Sequence, residues 1–312
     1  MRSLIRYSKK QNYNSRARKR RQPTETVYGL AANAYSDKAV KKIFKLKKRP
    51  QNNPLIVHYH NIDDLKRDCE INSDFLKLYK KFSPGPITYV LNLKKTSKIS
   101  KFATNNKSTL AVRFPKHNLM RKLLKLLKYP LAAPSANLST KVSSVCFQDV
   151  KDDFGNKLKF ILDGGRASVG VESTIISLVN KPQILRRGGL EVSSIENCLN
   201  KKLRLKLKSK KISSPGQMKL HYSPGIPIRL NIKKPNKNEA YLLLKKRNNL
   251  KDNYYYLSNK GNLKEAIKNL YRTLRKIKKD NFKSLAVESI KNQGLGNTIN
   301  DRLLRASKFN AK

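Results

Sequence analysis

A lysine and an arginine two positions apart, Lys47 and Arg49 in KKRPQNNPLIVH, are spaced to hold an anion. Arg49 offers a planar fork suited to two phosphate oxygens and Lys47 a compact charge beside it, a division that suits a triphosphate losing pyrophosphate. Arg113 in LAVRFP is a further cation, able to pair a carboxylate. Blocks rich in hydroxyls and amides accompany them: PTETVYGL from Pro23 to Leu30, PLAAPSAN from Pro130 to Asn137, and VGVESTI from Val169 to Ile175. In a chain with 70 Lys and Arg a single KxR is a weak signal, and hydroxyls such as those of Thr26 and Ser173 often satisfy local backbone groups instead.

Other routes to phosphate and acyl chemistry are missing. The chain has no GxxxxGKS/T loop, no GxGxxG turn and no GxSxG elbow, which leaves basic side chains and backbone amides to meet phosphates. His58, His60, His117 and His221 do not have the spacing of a metal cluster. Cys69, Cys146 and Cys198 form no CxxC pair and read as reduced thiols.

The elements that must position these groups alternate between apolar runs and helix-period segments, which argues for an α/β fold. Strands are expected at Pro54–Tyr59, Thr88–Leu93, Leu110–Phe114, Leu131–Ala133, Phe160–Asp163, Ser173–Val179 and Gln183–Arg186. Helices are expected at Asp37–Lys47, Ile62–Asp68, Asp74–Phe82 and Asn118–Leu127, the last with its leucines turned to the core. Pro50 should end the first helix and hold the KKRP segment extended. After Leu199 the texture changes to alternating Lys with Leu and Ser, then to SSPGQMKLHYSPGIP, a linker of turn residues. IPIRLNI, AYLLLKK, YYYLS and SLAVESI then read as strands, with helices at Leu263–Lys278 and Asn297–Ser307, a small Rossmann-like unit. The expected division is a basic segment 1–22, a main domain 23–200, a linker or lid 201–226 and a second domain 227–312.

The formal charge of +50 would ordinarily suggest nucleic acid. Here the basic residues are spread along the whole chain with abundant Asn and Ile, as a compositional bias on solvated faces would spread them, and no stacking-aromatic pattern of an RNA-binding module accompanies them. The two arms to inspect for tRNA contact are residues 1–21 and KKLRLKLKSKK. No apolar run reaches the roughly 18 residues of a bilayer span and no secretory signal is visible, so the reading is cytoplasmic, with no membrane partner.

Taken in order, the blocks PTET, KxR with LIVH, SAN and VEST resemble the YrdC-like family of threonylcarbamoyl-AMP synthases in its long, two-domain form. The likeness runs from about Pro23 to Leu199 and, more weakly, from Pro215 to Ser307. It implies a twisted, mixed open sheet with flanking helices, followed by a smaller C-terminal Rossmann-like domain. It also implies a nucleotidyltransferase that combines L-threonine, bicarbonate or CO2, and ATP into threonylcarbamoyl-adenylate and pyrophosphate, for threonylcarbamoyladenosine modification of tRNA. By motif matching Lys47, Arg49, Ser135 and Asn137 would be the catalytic set around the nucleotide. L-Threonine would be held by Thr26, His58, Arg113, the backbone near Ala133, and Ser173. ATP would meet Arg49, Asn53, Thr109, Ser135, Ser143, Arg187 and Tyr222, the last reaching in from the linker as part of a lid. Mg²⁺ would bridge phosphate oxygens without a protein metal site, and the adenylate would pass to the tRNA threonylcarbamoyl-transferase machinery, with at most weak tRNA contact. Residues 1–22 depart from the family, which normally carries a helix and a strand there; a disordered basic tail is expected instead. Two other readings stand beside this one: a carbamoyltransferase of hydrogenase maturation, whose acylphosphatase-like and zinc-finger segments this chain lacks, and a non-catalytic protein of the same fold binding tRNA or double-stranded RNA.

Overall fold

The computed structural model describes residues 24–158, 160–206, 220–248 and 251–309. The basic segment 1–22, Pro23 and half of the expected linker, residues 207–219, therefore lie outside the described residues. In chain order the first unit contains β1 (Ala32–Asn33), α1 (Asp37–Lys47), β2 (Ile56–His58), α2 (Ile62–Lys66), α3 (Ser73–Phe82), β3 (Ile87–Asn92) and α4 (Lys101–Thr104). It continues with β4 (Thr109–Arg113), α5 (Asn118–Leu126), β5 (Leu131–Ala132), α6 (Phe147–Phe154), β6 (Thr174–Ser177), β7 (Gln183–Arg186), α7 (Val192–Leu199) and β8 (Arg204–Leu205). Its strands form one mixed sheet in the order β1-β5-β2-β4-β3-β6-β7-β8. The second unit has β9 (Ile228–Arg229), β10 (Ala240–Lys245), β11 (Tyr254–Ser258), α8 (Leu263–Lys279), β12 (Leu285–Val287) and α9 (Gly296–Ala306), with a parallel sheet in the order β11-β10-β12-β9. The expected mixed α/β sheet followed by a small parallel α/β unit is thus the architecture found.

Local chemistry explains the helices. The Ser36 hydroxyl accepts from Ala39 N at 3.3 Å to start α1, which then buries Val40, Ile43 and Phe44 on one face. Asn72 caps α3 through Phe75 N at 2.9 Å, and the Phe75 ring meets Tyr89 edge-on with centroids 4.9 Å apart. Asn262 accepts from Lys264 N and Glu265 N at the head of α8, whose Ala266, Ile267, Leu270, Leu274 and Ile277 recur at helical spacing and are buried.

The two units share apolar packing. Val27, Val142, Val145, Ala167 and Val171 of the first lie in one buried cluster with Tyr222, Leu270, Tyr271, Ile299 and Leu303. At this seam Gly170 has φ +82°, and a Cβ there would stand 2.5 Å from the Lys268 carbonyl oxygen. Only glycine lets the VGVEST backbone lie against α8 at this distance.

Several expectations change. No strand forms at Phe160–Asp163: Phe160 and Leu162 are 69% and 61% exposed, and the neighbouring glycine turn is tied down by the Tyr28 hydroxyl on Gly165 O at 2.6 Å. The leucines of α5 do not all face the core, since Leu124 is buried but Leu126 is 64% exposed. Helix α1 ends not through Pro50 but at Lys48, which takes a left-handed conformation (φ 50°). Helices α4, α6 and α7 and the short strands β1 and β8 were not expected from the sequence.

Candidate active site

The β2 and β4 strands run parallel, with His58 opposite Arg113 at their carboxyl ends. Beside them, β5 runs antiparallel and places Leu131 opposite His58, while β7 pairs Arg186 with Ile175 of β6. A crevice outside the carboxyl ends of parallel strands is where α/β sheets bind ligands. Here it is a cleft open to solvent at its mouth. Thr26, Arg49, His58, Arg113, Ala133, Ser135, Ser173 and Tyr222 line it, together with Glu172, Arg186 and His221. Residues from well-separated stretches of chain therefore converge, including the entire set assigned by resemblance to L-threonine.

Arg113 is held at the cleft wall by three bonds: Nε to Gly85 O at 3.3 Å, one terminal nitrogen to Thr26 Oγ1 at 2.7 Å, the other to Glu25 Oε1 at 2.6 Å. The other Glu25 oxygen accepts from Lys116 N at 3.0 Å. His58 is buried beside it, and burial followed by the Arg113 charge keeps its imidazole well below the ordinary pKa, hence neutral at pH 7. Its Nδ1 has no hydrogen-bond partner among the described residues. Ser173 shares a 2.7 Å hydroxyl–hydroxyl bond with Thr88.

The left-handed Lys48 turns the chain so that both of its neighbours point inward, yet to different ends. Arg49 reaches the cleft while Nε and one terminal nitrogen donate to Asn53 O and Pro54 O at 3.1 and 3.0 Å. Burial and then the Arg186 charge lower it to about 9, which still leaves it cationic at neutral pH. Lys47 does not line the cleft: it is 1% exposed, and its ammonium donates to Ser135 O at 2.5 Å and to Asn137 O. Asn137 is likewise behind the wall, its amide nitrogen donating to Leu138 O and Lys141 O, each at 2.8 Å. The KxR and SxN motifs are thus one structure, in which Lys47 shapes the SAN loop and Arg49 and Ser135 face the ligand space.

Four more of the ATP set stand apart from the lining. Asn53 is fully buried under Arg49, and Thr109 opens β4 opposite Asn92. Ser143 donates to Glu172 Oε1 at 2.6 Å. Arg187 contributes its carbonyl to Arg302, while its neighbour Arg186 lines the cleft and donates to Ser173 O at 2.8 Å. Sequence reading also passed over Glu172, whose carboxylate accepts from Ser143, from the Tyr271 hydroxyl at 2.8 Å and from Arg302 Nε at 3.1 Å. Burial would raise Glu172, but Arg302, Arg186 and the Ser143 bond outweigh it and bring it down to about 2. His221, buried and close to Arg49 and Lys47, falls to about 3 despite Glu172 and is neutral. Its position inside VEST was the available signal for Glu172; nothing in the sequence marks His221, Tyr271 or Arg302 as its neighbours.

The arrangement is an anion site with a defined polarity. Three guanidinium groups, Arg49, Arg113 and Arg186, face one space, and of the two acids near them Glu25 is committed to Arg113 and Glu172 to Arg302. A ligand with a carboxylate at one end and phosphates at the other fits this charge pattern. Metal ligation does not: among the described residues no three His, Cys, Asp or Glu side chains gather, and the one carboxylate lining the cleft is fully engaged by its donors.

Known proteins resemble this chain over most of its length. The family described as Telomere recombination matches residues 22–188, and the Threonylcarbamoyl-AMP synthase, C-terminal domain, matches residues 190–308. The threonylcarbamoyl-AMP synthase of Pyrococcus abyssi is 35% identical over 309 residues, covering 92% of this chain and 89% of that protein. That of Bacillus subtilis is 33% identical over 305 residues, covering 91% and 88%. The crystal structure of P. abyssi Sua5 complexed with L-threonine superposes with a TM-score of 0.84 at 33% identity, covering 92% of this chain and 90% of that one. The chain belongs to the YrdC-like threonylcarbamoyl-AMP synthases, transferase-type enzymes, in their long form with a second domain.

Proposed function

We propose that this chain is a nucleotidyltransferase that joins L-threonine, CO2 or bicarbonate, and ATP into L-threonylcarbamoyl-adenylate, releasing pyrophosphate. The observation that carries the reading is the convergence on one cleft of Thr26, His58, Arg113 and Ser173 with Arg49, Ser135, Arg186 and Tyr222. The threonine carboxylate pairs with Arg113, and its amine lies toward the neutral His58 and the hydroxyl of Ser173. The amine, in its unprotonated form, adds to CO2 and loses a proton to give a carbamate. A carbamate oxygen then attacks the α-phosphorus and the bond to the pyrophosphate oxygen breaks. Arg49 and Arg186, preorganised by backbone carbonyls, stabilise the charge that develops on the leaving pyrophosphate, and such contacts are typically worth about 3 kcal/mol each in the transition state. Among the described residues no unengaged carboxylate lines the cleft, and Mg²⁺ would enter with the triphosphate as part of the nucleotide substrate. The product then serves a transfer to adenosine in tRNA.

This site does not suit the RNA-binding alternative, because its guanidinium groups lie 4–9% exposed within a cleft rather than along a surface a phosphate backbone can follow. The test is pyrophosphate release with mass-spectrometric detection of the adenylate. Release that needs L-threonine and bicarbonate together supports the reading; ATP turnover indifferent to threonine would defeat it.

A further inference from the structure

We propose that Arg302, on the last helix of the second unit, is a positioning residue for the nucleotide end of the cleft. It engages Glu172 so that this carboxylate does not compete with phosphate for Arg49 and Arg186, which line the same cleft. The inference rests on the synthase reading for the identity of the ligand, and on contacts that are independent of it.

Arg302 is fully buried. Its Nε donates to Glu172 Oε2 and to the Tyr271 hydroxyl, both at 3.1 Å, one terminal nitrogen donates to Arg187 O at 2.7 Å, and the other to Asp301 Oδ2 at 2.6 Å. Its guanidinium carbon lies 4.6 Å from the centre of the Tyr222 ring. One side chain of the second unit thus touches two residues of the cleft lining, Glu172 and Tyr222, and the peptide that follows a third, Arg186. Thr298, one turn earlier on α9, adds a bond to Gly188 O at 3.1 Å, so α9 grips the segment that follows β7 at two points.

The electrostatic consequence follows from what surrounds Glu172. It is the one carboxylate lining a cleft that also presents Arg49 and Arg186. A buried carboxylate deprived of a partner either takes up a proton or finds another cation. Without Arg302 the cation at hand is Arg186, whose guanidinium lines the same cleft and donates to the carbonyl of Ser173, the next residue, at 2.8 Å. Pairing there would occupy a guanidinium that the triphosphate needs, and the Tyr222 ring would lose the cation beneath it. The threonine end is insulated from this change, because Arg113 has its own acid in Glu25 at 2.6 Å.

The test compares Arg302→Met, Glu172→Gln and the double variant in full-length protein, reading ATP and L-threonine affinities separately by calorimetry, with thermal melting to confirm folding. Arg302→Met is expected to weaken ATP binding about tenfold to a hundredfold while threonine affinity stays within about twofold. The double variant should bind ATP like Glu172→Gln alone, since the released carboxylate is the cause. Equal losses for both ligands, additive effects in the double variant, or unchanged ATP affinity would each overturn the proposal. Should Arg302→Met fail to fold, Tyr271→Phe decides instead, because it removes one donor to Glu172 and keeps the ring: a smaller loss confined to ATP supports the proposal, and unchanged ATP affinity overturns it. Binding needs no turnover, so wild-type protein that binds ATP yet makes no adenylate would sink the reaction alone. Wild-type protein that does not bind ATP would sink both.

Discussion

Replacing Arg113 with methionine separates two roles that one side chain plays. Arg113 and Glu25 are 4% and 8% exposed and 2.6 Å apart, so deleting the guanidinium strands a buried carboxylate, at a cost of about 3–5 kcal/mol. Of the five N–H groups of an arginine, three are spent on Gly85, Thr26 and Glu25, which leaves two for a ligand carboxylate. Charge-assisted bonds of that kind are worth about 1.5–3 kcal/mol, or about tenfold to 150-fold in threonine affinity. The single variant confounds these effects, because a destabilised cleft loses every ligand. Adding Glu25→Gln removes the stranded charge and keeps the acceptor for Lys116 N, so Arg113→Met/Glu25→Gln should regain most of the lost melting temperature. Threonine affinity, measured by calorimetry on that stable double variant, should remain reduced while ATP affinity is near that of the wild type. A double variant that binds threonine as the wild type does would refute the assignment of Arg113 to the threonine carboxylate.

Three other outcomes follow from the same geometry. Arg186→Met should weaken ATP binding far more than Arg187→Met, since Arg186 lines the cleft and Arg187 offers its carbonyl to Arg302; equal effects would show that the cleft is misread. Lys47→Met should lower thermal stability by about 2–4 kcal/mol, because it unpairs the carbonyls of Ser135 and Asn137, whereas loss of activity without loss of stability would return Lys47 to a direct phosphate role. Folding stability should decline as pH falls from about 6.5 toward 3, because His221, lowered from 6.5 to about 3 chiefly by burial, is neutral in the folded protein while the unfolded chain takes up its proton throughout that window. Glu172, lowered from 4.5 to about 2, adds stability above 4.5 that is lost as pH drops toward 2, and a flat urea-stability profile between pH 7 and 4 would contradict the His221 argument.

Much of the frame was legible because it rests on local rules. Helix α1 carries an apolar stripe of Val40, Ile43 and Phe44 and begins and ends where the periodicity puts it; the amphipathic α8 begins where expected and runs one residue further, to Lys279. The Phe160–Asp163 run failed as a strand because an apolar run alone supplies no neighbouring edge; Phe160 and Leu162 remain at the surface while Ile161 packs against a small cluster around Tyr28. In the site, residues tied to compact motifs reached the cleft: Thr26, His58, Arg113, Ser135 and Ser173 all line it. Adjacent positions were harder. Lys47 and Arg49 carry the same charge on either side of one left-handed residue, and only the geometry of Lys48 determines that the lysine braces the SAN loop while the arginine meets the ligand space.

What sequence could not convey was the second unit's part in the cleft, because it depends on pairings between positions far apart in the chain. Glu172 meets Tyr271 and Arg302 only when α8 and α9 pack against the VGVEST segment, and that approach requires Gly170 to have no side chain. The apolar cluster running from Val27 through Val171 to Leu303 makes the seam part of the protein's core rather than a contact between tethered bodies. A domain that shares a core with the catalytic sheet cannot shift without disturbing the carboxylate beside Arg186. The chemistry of the cleft and the stability of the seam are therefore set by the same few side chains.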